Sequence, residues 1–344
     1  MMGVIGDMHL REKLGYADYL PDKRIPEKEA VLKFIRKKFE KCDSIVFVGD
    51  QLNSRNNISE VIRGFVQFVE TFNDKKVYIL AGNHEKKGDG KSAIDFMREI
   101  DKPNWTIITD DILVTDMNGI KGAFCPYFYK TELEVDTNEK GAKKLMKKLE
   151  AAGEADIIFH HHAVTDTTTE GGTPTSIFDE IVLSRKALEK KYKLVVGGHV
   201  HKPQIVDKTI VTGSVFTHDA GEVEKSIYII DEKTLKVETI NLPVRPIYKL
   251  VDPTEEEIGK LSDNGIAKVE LKKKLNANKL MALKELLEKK LDAYVLLENY
   301  EKERKKVHFE EGMLDFSIEN LLIEYAKQNK IPKGKLLTAW ETIK

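Results

Sequence analysis

Val77-Tyr78-Ile79-Leu80-Ala81-Gly82-Asn83-His84-Glu85 runs from an unbroken apolar stretch into a glycine followed by three polar residues. A short apolar run bounded by a turn signal reads as a buried strand, and here donor-type side chains begin where it ends. The same arrangement recurs along the chain. Ile45-Val46-Phe47-Val48 leads to Gly49-Asp50, and Val4-Ile5 to Gly6-Asp7-Met8-His9. Ile157-Ile158-Phe159 leads to His160-His161-His162, and Val195-Val196 to Gly198-His199-Val200-His201. Open α/β sheets place their sites at the carboxyl ends of strands, so the position of these residues says more than their identity alone.

Two helices are expected between the early strands. Glu27–Glu40 carries Val31, Phe34 and Ile35 at helical spacing, and Ser59–Phe72 carries Ile62, Phe65, Val66 and Val69. Alternation of apolar runs with amphipathic segments up to about residue 240 is the pattern of a layered α/β domain. Further strands are expected at Thr209–Thr212, Ser226–Ile230 and Lys236–Ile240. Pro243 and Pro246, followed by the acidic run from Asp252 to Glu257, mark a domain boundary. The expected organisation is a first domain over residues 1–245 and a small α/β cap over 246–344. The cap would have strands at Ala267–Leu271 and Ala293–Glu298 flanking a helix at Ala277–Lys290, then helices near Ser317–Gln328 and Gly334–Ile343.

At 344 residues, 41% hydrophobic and 33% charged, the chain can bury a full core. Lys and Arg total 56 against 57 Asp and Glu, so nucleic-acid binding would have to come from local basic patches. Cys42 and Cys125 are too few for a disulfide framework or a thiolate zinc site, and they fit a reducing cytoplasm. No charged-then-apolar leader precedes Gly3-Val4-Ile5, and no apolar stretch approaches the roughly 20 residues that cross a bilayer. A soluble cytoplasmic protein without membrane contact is expected.

Asp, Asn and His donors suit divalent transition ions, and a pair of ions roughly 3.5–4 Å apart is the usual engine of phosphoester hydrolysis. Taken singly, Asp7-Met8-His9 reads equally as an Asp-capped turn with an incidental His, and Asp50 as a helix cap. Gly82-Asn83-His84-Glu85 is more specific, because Asn83 can bind a metal while His84 faces a substrate as general acid. In Gly198-His199-Val200-His201 two imidazoles fall on one side of an extended segment. In the triple histidine, the residue that shares a strand face with Phe159 is His161, with His160 as the alternative. His218 and His308 match no motif and read as lone surface or core residues.

These segments resemble the calcineurin-like metallophosphoesterase superfamily, whose pattern runs Asp-x-His, Gly-Asp, Gly-Asn-His-Asp/Glu, His and Gly-His-x-His, over residues 3 to about 240. The resemblance implies a layered β-sandwich flanked by helices. It also implies that Asp7, His9, Asp50 and His201 hold one divalent ion, and that Asp50, Asn83, His161 and His199 hold a second. Manganese is the expected metal, with iron, zinc or magnesium also compatible with these ligands. Overall length, the Gly-His-Val-His-Lys-Pro segment leading through Ile210–Ser214, and the small C-terminal domain look most like the nuclease subunits of SbcCD-type complexes, phage counterparts included. That likeness implies a manganese-dependent DNA exonuclease and endonuclease, dimeric, working with an SMC-like coiled-coil ATPase in the bacterial or phage-infected cytoplasm.

One residue departs from that pattern. These nucleases commonly carry His or Asp three residues beyond the bridging Asp, where this chain has Asn53, which can hydrogen-bond but cannot transfer a proton at neutral pH. Candidate phosphate contacts are Lys272, Lys273, Lys274, Lys279, Lys284, Lys289, Lys290 and Arg304-Lys305-Lys306, although lysines interleaved with Glu285 and Glu288 equally describe a solvated helix face. The competing functions are a small-molecule phosphodiesterase or protein phosphatase on the same centre, and a non-catalytic scaffold.

Overall fold

The computed structural model describes residues 1–299. The expected terminal helices, Arg304 and His308 lie outside the described residues. Residues 1–271 and 275–297 form one compact unit.

Strand β1 (Met2–Ile5) is followed by α1 (Ile25–Lys38), β2 (Ser44–Phe47), α2 (Ser59–Glu70), β3 (Lys76–Leu80) and β4 (Trp105–Ile108). Next come β5 (Leu113–Asp116), β6 (Lys121–Cys125), α3 (Asn138–Ala151), β7 (Ile157–His160), α4 (Arg185–Lys191), β8 (Leu194–Gly197), β9 (Gln204–Val206) and β10 (Thr209–Val211). Strands β11 (Ser226–Ile230) and β12 (Val237–Asn241) return to the start, because the first sheet has the order β12-β11-β1-β2-β3-β4. The second sheet has the order β5-β6-β7-β8-β10-β9. In the first sheet β1 to β4 run parallel, with β4 at one edge, and antiparallel β11 and β12 extend the other side. In the second, β6, β7, β8 and β10 run parallel between antiparallel edge strands β5 and β9.

The period-two alternation of these strands builds the layers. On β2 and β3, Ile45, Phe47, Val77 and Ile79 pack with Val31 and Ile35 of α1 and with Phe65, Phe68 and Val69 of α2. Their neighbours Val46, Val48, Tyr78 and Leu80 face the other way, onto Phe124, Ile157, Phe159 and Val196 of the second sheet. Ile158 and Val195 then point outward to Leu145, Leu149 and Leu188 of α3 and α4. The result is helix, sheet, sheet, helix, in agreement with the expected layered sandwich. Phe47 meets Phe65, Phe68 and Phe72 edge-on at 5.9, 6.2 and 6.4 Å. Each such buried ring contributes about 1.5–3 kcal/mol of burial free energy.

Helix starts follow the capping chemistry of the sequence. Thr137 and Ser184 accept backbone N–H bonds at the starts of α3 and α4. Residues 105–151 contain elements that the motif-led reading does not assign, namely β4, β5, β6 and α3. Immediately after Pro246, β13 (Ile247–Val251) opens a third sheet with β14 (Ile266–Leu271) and β15 (Ala293–Glu298), in the order β13-β14-β15. Helices α5 (Glu255–Gly259) and α6 (Ala277–Lys290) accompany it. Thr254 and Glu257 form a capping box on α5. Among the described residues, no helix is long and apolar enough to cross a membrane.

Candidate metal centre

The turns after β1, β2 and β3 of the first sheet and after β7 and β8 of the second converge, so residues far apart in sequence meet. His161 Nε2 lies 3.2 Å from Asp50 Oδ2 and 3.2 Å from Asn83 Oδ1. His9 Nε2 is 3.8 Å from Asp50 Oδ2 and 3.9 Å from Asp7 Oδ2. His201 Nε2 is 2.8 Å from His9 Nε2, and His199 Nδ1 is 2.8 Å from Asn83 Oδ1. Two groups able to hold a cation follow, Asp7 with His9 and His201, and Asp50 with His161 and His199. Asp50 also groups with His9 and His84.

Small residues allow this convergence. Gly49 has φ +103°, and a Cβ there would strike His161 Nδ1. A Cβ on Gly82 would collide with the Asp50 carboxylate. His161, continuing the face of Phe159 that looks between the sheets, is the member of the triple histidine that reaches Asp50. His160 occupies the opposite face against Gly197, where burial depresses its imidazole to about 3. His162 accepts from the Phe128 N–H and stacks on Tyr127, ring centroids 4.7 Å apart.

The residues fit a cation-binding role on their own chemistry. Asp7, Asp50 and Glu85 are all buried. Burial first, and the Asp50 charge second, push Asp7 well above the ordinary carboxylate range and Glu85 up to about 8. Burial opposes ionisation of Asp50 as well, but His161, His9 and His84 outweigh it and hold that carboxyl well below its ordinary value. Burial likewise drives His9 well below its ordinary value, toward the neutral, ligating form. His199 Nδ1 and Asn83 Oδ1 meet at 2.8 Å, which brings a nitrogen and an oxygen donor to the same point. The set therefore suits divalent ions bound by nitrogen and oxygen.

His84 sits at the rim, its side chain 42% exposed, with Nε2 3.9 Å from Asp50 Oδ2. Its Nδ1 donates to the Asn53 carbonyl at 2.7 Å. The Asn53 contact with His84 therefore comes from the main chain and would be open to any residue at that position. Lys272, Lys273, Lys274 and Lys279 are exposed.

Several residues at the centre have no role assigned from the sequence. Glu85 accepts from the backbone N–H groups of Asp50, Leu52 and Gly82 at 3.0, 2.7 and 2.7 Å. Glu180 meets His199, and Glu222 meets His201. His218, read from sequence as a lone residue, is buried with its ring 5.6 Å from that of His9, and Arg11 donates to its Nδ1 at 2.9 Å. The turn that carries it is fixed by the buried Arg24, which donates to the Thr217 carbonyl at 2.8 Å while paired with both oxygens of Glu27. Glu85, which closes the Gly82-Asn83-His84-Glu85 segment, was the one of these with a sequence signal.

Residues 2–203 match the Calcineurin-like phosphoesterase family, and the chain belongs to it. No curated protein matches. Solved structures with some similarity include an archaeal phosphodiesterase, at 13% identity and TM-score 0.36, covering 70% of this chain and 99% of that one. A hypothetical protein from Thermus thermophilus has 13% identity and TM-score 0.40, with the same coverage. A conserved protein of Streptococcus pneumoniae, described as a predicted phosphoesterase, has 13% identity and TM-score 0.30, covering 70% of this chain and 87% of that one. Family membership rests on the match over residues 2–203.

Proposed function

We propose that this phosphoesterase is a nuclease subunit that hydrolyses DNA phosphodiesters, in partnership with an SMC-like ATPase. Asp7, His9, Asp50 and His201 would hold one divalent cation, and Asp50, Asn83, His161 and His199 a second, with manganese preferred. The observation that carries the hydrolytic reading is the Asp50 carboxylate, whose Oδ2 stands 3.8, 3.9 and 3.2 Å from ring nitrogens of His9, His84 and His161 and so touches both donor groups and the rim. Cations held by these residues would supply Lewis-acid chemistry, activating water and offsetting the charge that builds on the phosphate during in-line attack.

The chain's own residues supply position and a proton. The Asn53 carbonyl fixes a hydrogen on His84 Nδ1, so Nε2 is the nitrogen that faces substrate. An imidazolium at that position delivers its Nε2 proton to the departing sugar oxygen, and the Nδ1 bond to Asn53 persists through the transfer. The exposure of His84 favours a long substrate laid across an open face over a small ester enclosed in a pocket. The SbcD-like Gly-His-Val-His-Lys-Pro segment leading through Ile210–Ser214 supports the same reading.

The test is hydrolysis of end-labelled linear DNA with manganese, with bis-p-nitrophenyl phosphate as a second substrate and His84→Ala alongside. Metal-dependent shortening of DNA that is lost in the variant supports the nuclease reading. Cleavage of only the small ester, with and without the ATPase, would transfer the assignment to a small-molecule phosphodiesterase. Cleavage of neither by a metal-loaded protein would leave a scaffold.

A further inference from the structure

His199 and His201 stand two residues apart, yet they offer the centre different ring nitrogens. His199 turns Nδ1 inward to Asn83 Oδ1, and its Nε2 lies 2.7 Å from Glu180 Oε1. His201 does the reverse, with Nε2 inward toward His9 and Nδ1 3.2 Å from Glu222 Oε1. An ionised carboxylate can only accept. Each neutral ring therefore keeps its hydrogen on the outer nitrogen and its lone pair on the inner one.

We propose that Glu180 and Glu222 are positioning residues that hold His199 as the Nε2–H tautomer and His201 as the Nδ1–H tautomer, so that both rings present lone pairs to the cations. The proposal rests on the metal-centre reading above. The two glutamates lie in separate loops, 19 residues before His199 and 21 after His201, and neither belongs to a motif. Each is itself held. Glu222 is buried, its Oε2 accepts from the His218 N–H at 2.7 Å, and Lys225 Nζ lies 3.2 Å away. Lys225 also donates to the His201 carbonyl at 3.0 Å, so it grips the ligand's main chain and its carboxylate partner together. The main chain of the same turn is clamped to β13, with Gly221 N–H donating to the Ile247 carbonyl at 2.7 Å and Ile247 N–H to the Glu222 carbonyl at 2.8 Å. On the other side, Tyr127 bonds the second oxygen of Glu180 at 3.4 Å and stacks on the His199 ring, centroids 5.7 Å apart.

A carboxylate behind a metal-binding imidazole fixes the ring and strengthens it as a ligand, and loss of such a partner typically lowers metal affinity about 10–100-fold. Glu180→Gln and Glu222→Gln keep an accepting oxygen but lose the charge, so they should fall at the lower end of that range. Glu180→Ala, at the half-exposed rim, should fall at the upper end. The experiment reads the histidine tautomers of the metal-free protein by nitrogen NMR at a pH where both rings are neutral, and manganese affinity by calorimetry. Glu222 also supports His218 and Lys225, so melting temperatures accompany every variant, and Glu180→Ala provides the case least exposed to misfolding.

The expected result is opposite tautomers for His199 and His201 in the parent protein, with Glu180→Ala disturbing His199 and leaving the His201 tautomer in place. A general loss of structure would not produce that selectivity. Matching or mixed tautomers in the parent, or folded Gln variants that both bind manganese within about two-fold of the parent, would overturn the proposal. If the parent binds no divalent metal, the proposed function fails, and the tautomers alone decide this inference.

Discussion

Glu85→Ala should be the most damaging single truncation outside the candidate ligands. The buried carboxylate of Glu85 accepts three main-chain N–H groups, with Oε2 serving Asp50 and Gly82 and Oε1 serving Leu52. It thereby ties the turn after β2 to the turn after β3. Removing it strips three buried donors of their partner, and each such loss costs about 1–3 kcal/mol. Neighbouring losses share relaxation, so a total of about 3–6 kcal/mol is expected, a large part of the roughly 5–15 kcal/mol that holds a typical domain together. Glu85→Gln separates the contributions. Its oxygen can replace Oε2 and keep two bonds, while its amide meets the Leu52 N–H donor to donor, so about 1–3 kcal/mol should be lost. Urea unfolding of all three proteins in EDTA measures these numbers without metal linkage, and calorimetry with manganese shows whether Asp50 and Asn83 have moved. An alanine variant destabilised by less than about 1 kcal/mol, with an unchanged denaturant slope and unchanged metal affinity, would refute the clamp.

Three further outcomes are expected. Metal-free protein should lose stability as pH rises from about 6.5 to about 8, because Glu85 is pushed up to about 8, and His199 is raised when Glu180 and Asp50 outweigh its burial. Both groups bind more protons folded than unfolded in that window, while His9, His160 and His162, depressed by burial, act in the opposite sense only below about 6.5; melting curves in EDTA should show the fall, and saturating manganese should remove it. Cys42 and Cys125 are buried thiols raised to about 11 and about 12, so a disulfide reagent should titrate neither at neutral pH until denaturant exposes both, and rapid labelling of native protein would contradict this placement. Gly198→Ala puts a Cβ 2.6 Å from Asp7 Oδ1 and 2.8 Å from both His161 Nδ1 and the Val48 carbonyl, which should cost about 1–3 kcal/mol and lower metal affinity; a folded variant with normal affinity in calorimetry would show that the turn yields freely.

The layers and the gathering of the motifs were legible because each carries a periodic signal. Val46 and Val48 alternate with Ile45 and Phe47, and that alternation alone assigns one set to the space between sheets and the other to α1 and α2. The same reasoning carried through Phe159 selects His161 over His160. Legibility stops where a role depends on a partner that only the fold supplies. Glu180, Glu222 and His218 are single polar residues in irregular loops, with no spacing to mark them. Strand β5 is half-buried rather than an apolar run, and β6 begins Lys121-Gly122-Ala123, so neither announces itself. The Asn53 contact with His84 is likewise unmarked in sequence, because it is made by the main-chain carbonyl.

Strain at the centre shows how the donors are held. His9, Asp50 and His199 have φ of 44°, 51° and 79°, a region that residues with side chains seldom occupy and that costs on the order of 1–3 kcal/mol each. Every one of these residues donates its own N–H to a different turn of the centre. His9 N–H goes to the Asp50 carbonyl at 2.9 Å, Asp50 N–H to Glu85 at 3.0 Å, and His199 N–H to the Asp7 carboxylate at 2.9 Å. His84 N–H returns to Asp50 Oδ1 at 2.8 Å. The turns after β1, β2, β3 and β8 are thus linked by hydrogen bonds between protein groups, and these buried bonds offset the strained conformations. Donors fixed in this way need little rearrangement to bind a cation, which lowers the ordering cost of binding. It follows that chelation should change the charge and stability of the centre far more than the path of its backbone.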